Sequence, residues 1–414
     1  MHKGIMHSPP FPRSLGTLIK ALLVAAVVCV GSLSCRCASD KSTILRVNLF
    51  PYLPDAAGDN LKGMAARIKQ EFEKQNPSVT LEVTLSKDND FYDLANYKKW
   101  ISNFDVIEPD TLFLADLVAP DELIEPWENV SEGEWQPPAR VAAKVDGKVY
   151  AIPHWMCGYF LFSRDPKIAK AENLKDLVAI LQATHGSVPE VAGNLFSSWD
   201  TPALYLDSWE DNHSPADPKQ AISTSLDAET IQTLKEFSDQ CNWEGKNPCL
   251  DKTYKDNTLA QTRFAKKEVE TAFGFSESLF DILKASSGPS DHSIILSTLV
   301  LGKADHPLLF MDGFVMPKGR SKEVKAAAAA FVRYMQRPET YTWIVMSQDA
   351  PGAPGRYLTP ATIGAFASEP IKSDPYYHAI QATITKGSNF PNSGLPELHT
   401  QMRDAIISEL QRPK

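Results

Sequence analysis

The chain has 414 residues, 43% of them hydrophobic and 22% charged, with a formal net charge of −9. A chain of that length carries more than one packed core, because single cores rarely grow past about 250–300 residues. The acidic balance, with no Lys/Arg-rich run in the body of the chain, argues against a nucleic-acid partner, which requires a basic footprint.

The first forty or so residues are a different kind of sequence. Arg13 and Lys20 precede the apolar run Ala21 to Val30, and the small-residue stretch Gly31-Ser32-Leu33-Ser34 follows. Basic, apolar, small is the order of a secretory signal peptide, expected here over residues 1–39. The run is short of the about 20 residues needed to span a bilayer. Leu33-Ser34-Cys35 resembles a bacterial lipobox, whose cysteine carries the lipid anchor, although Ser32 stands where that motif prefers Leu; plain cleavage near Ser39 is the other reading. Either way the expectation is an exported protein, secreted or periplasmic. Of the six cysteines, Cys29, Cys35 and Cys37 belong to this leader. In an oxidising compartment Cys241 and Cys249 are close enough to close a small loop, which leaves Cys157 unpaired.

Beyond the leader, Leu45 to Phe50 reads as a strand running into Pro51-Tyr52-Leu53-Pro54-Asp55. Leu61, Met64, Ala65, Ile68 and Phe72 mark one face of a helix, which Asn76-Pro77 stops. Strands follow at Val79 to Leu85 and at Phe104 to Ile107, the latter ending at Pro109-Asp110. Strand and helix in alternation at this spacing mean parallel α/β units. Val149 to Pro153 is a further strand, where the chain is expected to cross to a second lobe; helices follow at Leu174 to Thr184 and Ala228 to Phe237. Thr271 to Phe275 is read as a strand returning to the first lobe, with Ser276 capping the next helix. Leu308 to Met316 is the last strand and Lys322 to Met335 a helix. The expected division is residues 44–152 with 270–318 as one lobe, and 153–269 with 319–414 as the other.

The segment from Val324 to Glu339 is similar to the extracellular solute-binding proteins of bacterial importers, and several motifs narrow the resemblance. Phe50-Pro51-Tyr52-Leu53-Pro54-Asp55, Asp110-Thr111-Leu112-Phe113-Leu114, Pro153-His154-Trp155-Met156-Cys157, Phe275-Ser276-Glu277-Ser278 and Pro307 to Asp312 occur in the order found in thiaminase I (thiamine pyridinylase). The resemblance runs from about Leu45 nearly to the C-terminus. Phe275 stands where that family leads one to expect tyrosine, and His154 and Trp155 are unusual for it. It implies an α/β, two-lobed periplasmic-binding-protein-like fold (type II) with a ligand cleft between the lobes. It also implies Cys157 as nucleophile, Glu277 as base, and Asp110 and Asp312 about the substrate, while Tyr52 and Trp155 offer aromatic faces on which a flat or cationic ring stacks. The implied partners are thiamine and an amine or thiol acceptor, in a monomer needing neither cofactor nor metal.

The chemistry suits those residue types. Displacing a thiazolium from a pyrimidine calls for a soft nucleophile that can add and later leave, and a thiolate does both. A thiol of ordinary pKa near 8.5 needs a base. Read alone, each residue also has a bland reading: a buried inert Cys157, a first-turn acid at Glu277, loop aspartates at 110 and 312, packed aromatics at 52 and 155. Trp199-Asp200 and Trp209-Glu210 read as packing and surface. The rival function is a solute receptor without catalysis, carrying thiamine or a related pyrimidine to an importer.

Overall fold

The computed structural model describes residues 42–412 apart from 86–89, 184–185 and 287–292. The leader, with Cys35, lies outside the described residues. No described helix is long and apolar enough to cross a membrane.

The first sheet is parallel, in the order Val79–Thr84, Thr43–Asn48, Val106–Ile107. The helix Lys62–Gln75 buries Met64, Ile68 and Phe72, a four-residue spacing that places them on one stripe. A second helix, Lys322–Met335, is capped where Ser321 Oγ accepts from Val324 N at 3.3 Å. It packs against Thr43–Asn48, and Phe331 meets Phe72 edge to face at 5.5 Å. By these contacts the helix belongs with the first sheet, not with the second lobe to which its sequence position assigned it.

A second sheet runs Ile295–Thr298, Tyr159–Ser163, Thr271–Phe275, Val191–Ala192. Thr271–Phe275 lies antiparallel to Tyr159–Ser163 and parallel to Val191–Ala192, so the strand expected to return to the first lobe stays in the second. Its residues are apolar enough for either sheet, and pairing at this separation leaves no local mark. The helix after it runs Ser278–Ala285 without a side-chain cap. Ser276, expected as that cap, is instead buried, 3.2 Å from Thr359 Oγ1.

A third sheet, Thr359–Pro360, Ile152–Cys157, Leu308–Phe314, Ser388–Asn389, joins the other two. Ile107 and Val315 exchange backbone hydrogen bonds (3.1 and 2.8 Å), and Asp110 bridges Asp312, which ties the third sheet to the end of the first. At the other end only Gly158 separates Ile152–Cys157 from Tyr159–Ser163, so the chain changes sheet there rather than near residue 153. A side chain at 158 would stand 2.7 Å from Leu309 Cδ2, so Leu309 would have to shift to admit one at the crossing. On the helix Asp200–His213, Asp207 and Asp211 face inward. Asp207 accepts from Leu308 N (2.6 Å), and Asp211 from Leu301 N and His306 N (2.7 Å each), holding the start of Leu308–Phe314 in place. Cys241 and Cys249 form a disulfide, and Cys157 is the free cysteine among the described residues.

Candidate active site

Cys157 is the last residue of its strand, paired with Phe310 across the ladder, while Asp312 pairs two positions on with Trp155. Period-two alternation aims Phe310, Asp312 and Cys157 to one side of the sheet, into a cavity of about 640 Å³. A β-bulge between Asp312 and Gly313 lets the Pro109 carbonyl accept from Gly313 N at 3.1 Å, which draws Asp110 against Asp312. Glu277 enters from the N-terminal end of the helix Ser278–Ala285. Tyr52, at the end of the loop after Thr43–Asn48, stacks on Tyr92 with centroids 5.7 Å apart. The fold thus brings five of the six sequence-selected residues to one cavity: Cys157, Glu277, Asp110, Asp312 and Tyr52.

Trp155 is the exception. It is 2% exposed, edge-on to Tyr341 at 5.2 Å and beside His154 at 4.1 Å, and it does not line the cavity. Its strand position points it the same way as Cys157, but the helix Pro338–Val345 covers it through Tyr341. His154 is buried too, its Nδ1 hydrogen-bonded to Glu108 Oε1. Glu108 Oε2 accepts from Phe50 N at 3.0 Å, so this pair fixes the root of the loop that carries Tyr52.

The cavity also holds residues that sequence reasoning passed over. Asp200 and Trp199 line it, contrary to their reading as packing and surface. Asp200 accepts from Tyr159 Oη (3.0 Å), Ser197 Oγ (2.6 Å) and Asn194 Nδ2 (3.2 Å). Ser197 Oγ in turn accepts from Asp200 N at 2.7 Å, a local helix-start exchange legible in Ser-x-x-Asp, whereas its neighbourhood was not. Trp199 stacks on His399 at 3.8 Å and packs on Tyr92 at 5.4 Å. Phe275 stacks on Tyr159 at 4.6 Å. Glu210, likewise expected at the surface, is 3% exposed, with Oε1 3.2 Å from Ser388 Oγ.

Six carboxylates and one lysine, Lys284, line the cavity. Burial raises the acids: Asp110 to about 7, despite the lowering bond from Leu112 N (2.9 Å), and Glu277 to about 7. Asp312 is raised further, by burial first and then by Asp110, Glu108 and Glu277; its Oδ1 has no hydrogen-bond partner. Asp110 and Asp312 therefore act as a proton-sharing pair, and the bond from Leu112 N favours the charge on Asp110. Burial raises the Cys157 thiol well above its ordinary range, and the charges of Glu277, Asp312 and Asp110 add to this. The resting thiol is neutral, beside a carboxylate that titrates near neutrality. Such a cavity offers a nucleophile, a base, a donor–acceptor carboxyl pair and aromatic faces, under a field that favours a cation.

The family of bacterial extracellular solute-binding proteins matches residues 67–377. A curated relative, Thiaminase-1 of Paenibacillus thiaminolyticus, is 24% identical over 97% of this chain and 95% of its own length. The solved Clostridium botulinum thiaminase I in complex with thiamin superposes with a TM-score of 0.65 at 17% identity, covering 89% of this chain and 100% of that one. A chitin oligosaccharide binding protein gives 0.67 at 14%, covering 89% and 94%. With the mixed sheets described above, these matches make the fold that of the two-lobed α/β binding proteins.

Proposed function

The chain belongs to the bacterial extracellular solute-binding protein family, and we propose that its cavity serves catalysis, as a thiamine pyridinylase (thiaminase I). The observation that carries the reading is the meeting of Cys157 with Glu277 and the Asp110–Asp312 pair in one cavity. The Thiaminase-1 relative supports the same reaction class.

The aminopyrimidine of thiamine presents an amino group that donates and a ring nitrogen that accepts. Ionised Asp110 accepts a hydrogen bond from the amino group and protonated Asp312 donates one to the ring nitrogen, which orients the ring and makes it more electrophilic. Tyr52 supplies an aromatic face. Glu277 takes the proton of Cys157, and Sγ bonds to a ring carbon. The displaced electron pair moves through the ring and breaks the bond from the methylene carbon to the thiazolium nitrogen, so the thiazole leaves neutral. An amine or thiol acceptor then bonds to the methylene carbon. The C–S pair returns to Sγ with the proton held by Glu277, and Glu277 receives the acceptor's proton and releases it to water. Export and a monomeric state, with either an anchor at Cys35 or plain cleavage near Ser39, complete the reading; the Cys241–Cys249 disulfide supports an oxidising destination.

The test follows loss of thiamine and release of the thiazole with aniline as acceptor, beside a C157S control. Turnover is expected in the wild type and a drop of about 10³-fold or more in the control. Saturable binding without turnover, the same in both proteins, would make this a solute receptor instead.

A further inference from the structure

Beside the large cavity lies a second, small one. It shares Tyr159, Asp200, Phe275 and Ser278 with the first and continues to Gly193, Gly274 and Gln261. Its room for the centre of a water-sized group is about 20 Å³, and one such group requires about 10–15 Å³. The pocket is built. A side chain at Gly193 would run into the Phe273 ring at 2.2 Å, and one at Gly274 would stand 2.7 Å from Ser278 Oγ and 2.9 Å from Gln261 Nε2. Gln261 is 2% exposed; its Nε2 donates to Ser278 Oγ at 3.2 Å, while its Oε1 has no hydrogen-bond partner. A buried amide oxygen left in that state costs about 1–3 kcal/mol, so the site calls for a donor.

We propose that this pocket is a hydroxyl-binding subsite of the main cavity, in which Gln261 Oε1 accepts from one neutral O–H group. The flanking groups define the ligand. The room suits a water-sized group, and the orphan atom is an acceptor, so a group with no proton to donate leaves Gln261 Oε1 unsatisfied. Ser278 Oγ accepts from Gln261 Nε2 and keeps its own proton to donate. Asp200 already takes three side-chain donors, so it adds polarity without demanding a cation. The O–H group is either an ordered water or the terminal alcohol of the thiamine thiazole, and only the second source rests on the thiaminase reading.

Two measurements decide it. A high-resolution crystal structure of the unliganded wild-type protein should show an oxygen within hydrogen-bond distance of Gln261 Oε1; an empty pocket overturns the proposal. Kinetics then compare wild type with Gln261→Leu on thiamine and on its analogue bearing ethyl in place of hydroxyethyl. If the substrate alcohol fills the pocket, KM for thiamine rises about three- to tenfold and KM for the analogue does not change. If an ordered water fills it, both rise together. KM unchanged for both substrates overturns the proposal. A wild type that turns over neither substrate sinks the thiaminase reading, while the crystallographic oxygen still decides the pocket. The same oxygen keeps the proposal testable should Gln261→Leu fail to fold.

Discussion

Glu277 sets the pH behaviour of the proposed reaction. Its carboxyl, pushed up to about 7 by burial, cannot take the Cys157 proton while it is itself protonated. The sign follows: kcat/KM rises with pH up to about 7 and levels above, the same direction that ionisation of Asp110 at about 7 requires. Glu277→Gln should lower the rate by about 10²–10⁴-fold and leave a shallower limb set by Asp110 alone, read from a pH–rate profile; an unchanged rate would assign the base to another group. Cys157 and the acids at 110, 277 and 312 were legible because short motifs carry them in a fixed order, the first three beside a strand end or a helix start and Asp312 within a strand at a bulge. Trp155 was misplaced because exposure of a strand residue depends on what covers it, here Tyr341 from almost two hundred residues away. Asp200 and Trp199 were passed over for the converse reason. Their local sequence describes a helix start, and nothing local says that the helix start faces a cavity.

At the level of elements, the strands and helices whose own sequence carries the period appeared nearly where expected, such as Lys62–Gln75 and Lys322–Met335. The partners of Thr271–Phe275 did not, since a five-residue apolar strand fits either sheet and only the assembled ladder distinguishes them. The His154–Glu108 pair joins two such elements, the strand Ile152–Cys157 and the segment after Val106–Ile107. Removing one partner of a buried hydrogen-bonded pair is costly because the other is left unsatisfied. His154→Leu should therefore lower stability by about 1–3 kcal/mol in urea unfolding. Since Glu108 also holds Phe50 N, Tyr52 should lose its position, and KM for thiamine should rise more than kcat falls. A stable variant with unchanged KM would separate the pair from the site.

Over the whole molecule, the buried acids couple folding to pH. Asp110 and Glu277 at about 7 and Asp211 at about 8 keep protons that an unfolded chain has released well below neutrality. Asp211 faces Asp207, Glu210 and Asp305, with His306 close by. The folded state thus binds more protons than the unfolded one, and stability falls as pH rises from about 4 towards 8. The Tm should drop by about 5 °C or more between pH 5 and 8.5, with saturating thiamine recovering part of the loss at pH 8.5. A Tm that climbs over this range would show that the acids are solvated. The raised thiol of Cys157 has a consequence of its own. Oxidants and alkylators attack thiolate, so a cysteine held protonated by burial, and then by its acidic neighbours, is shelf-stable in surroundings that favour disulfides. In the proposed reaction a cationic guest offsets the same negative field, so that substrate arms its own nucleophile and the empty protein goes about unarmed.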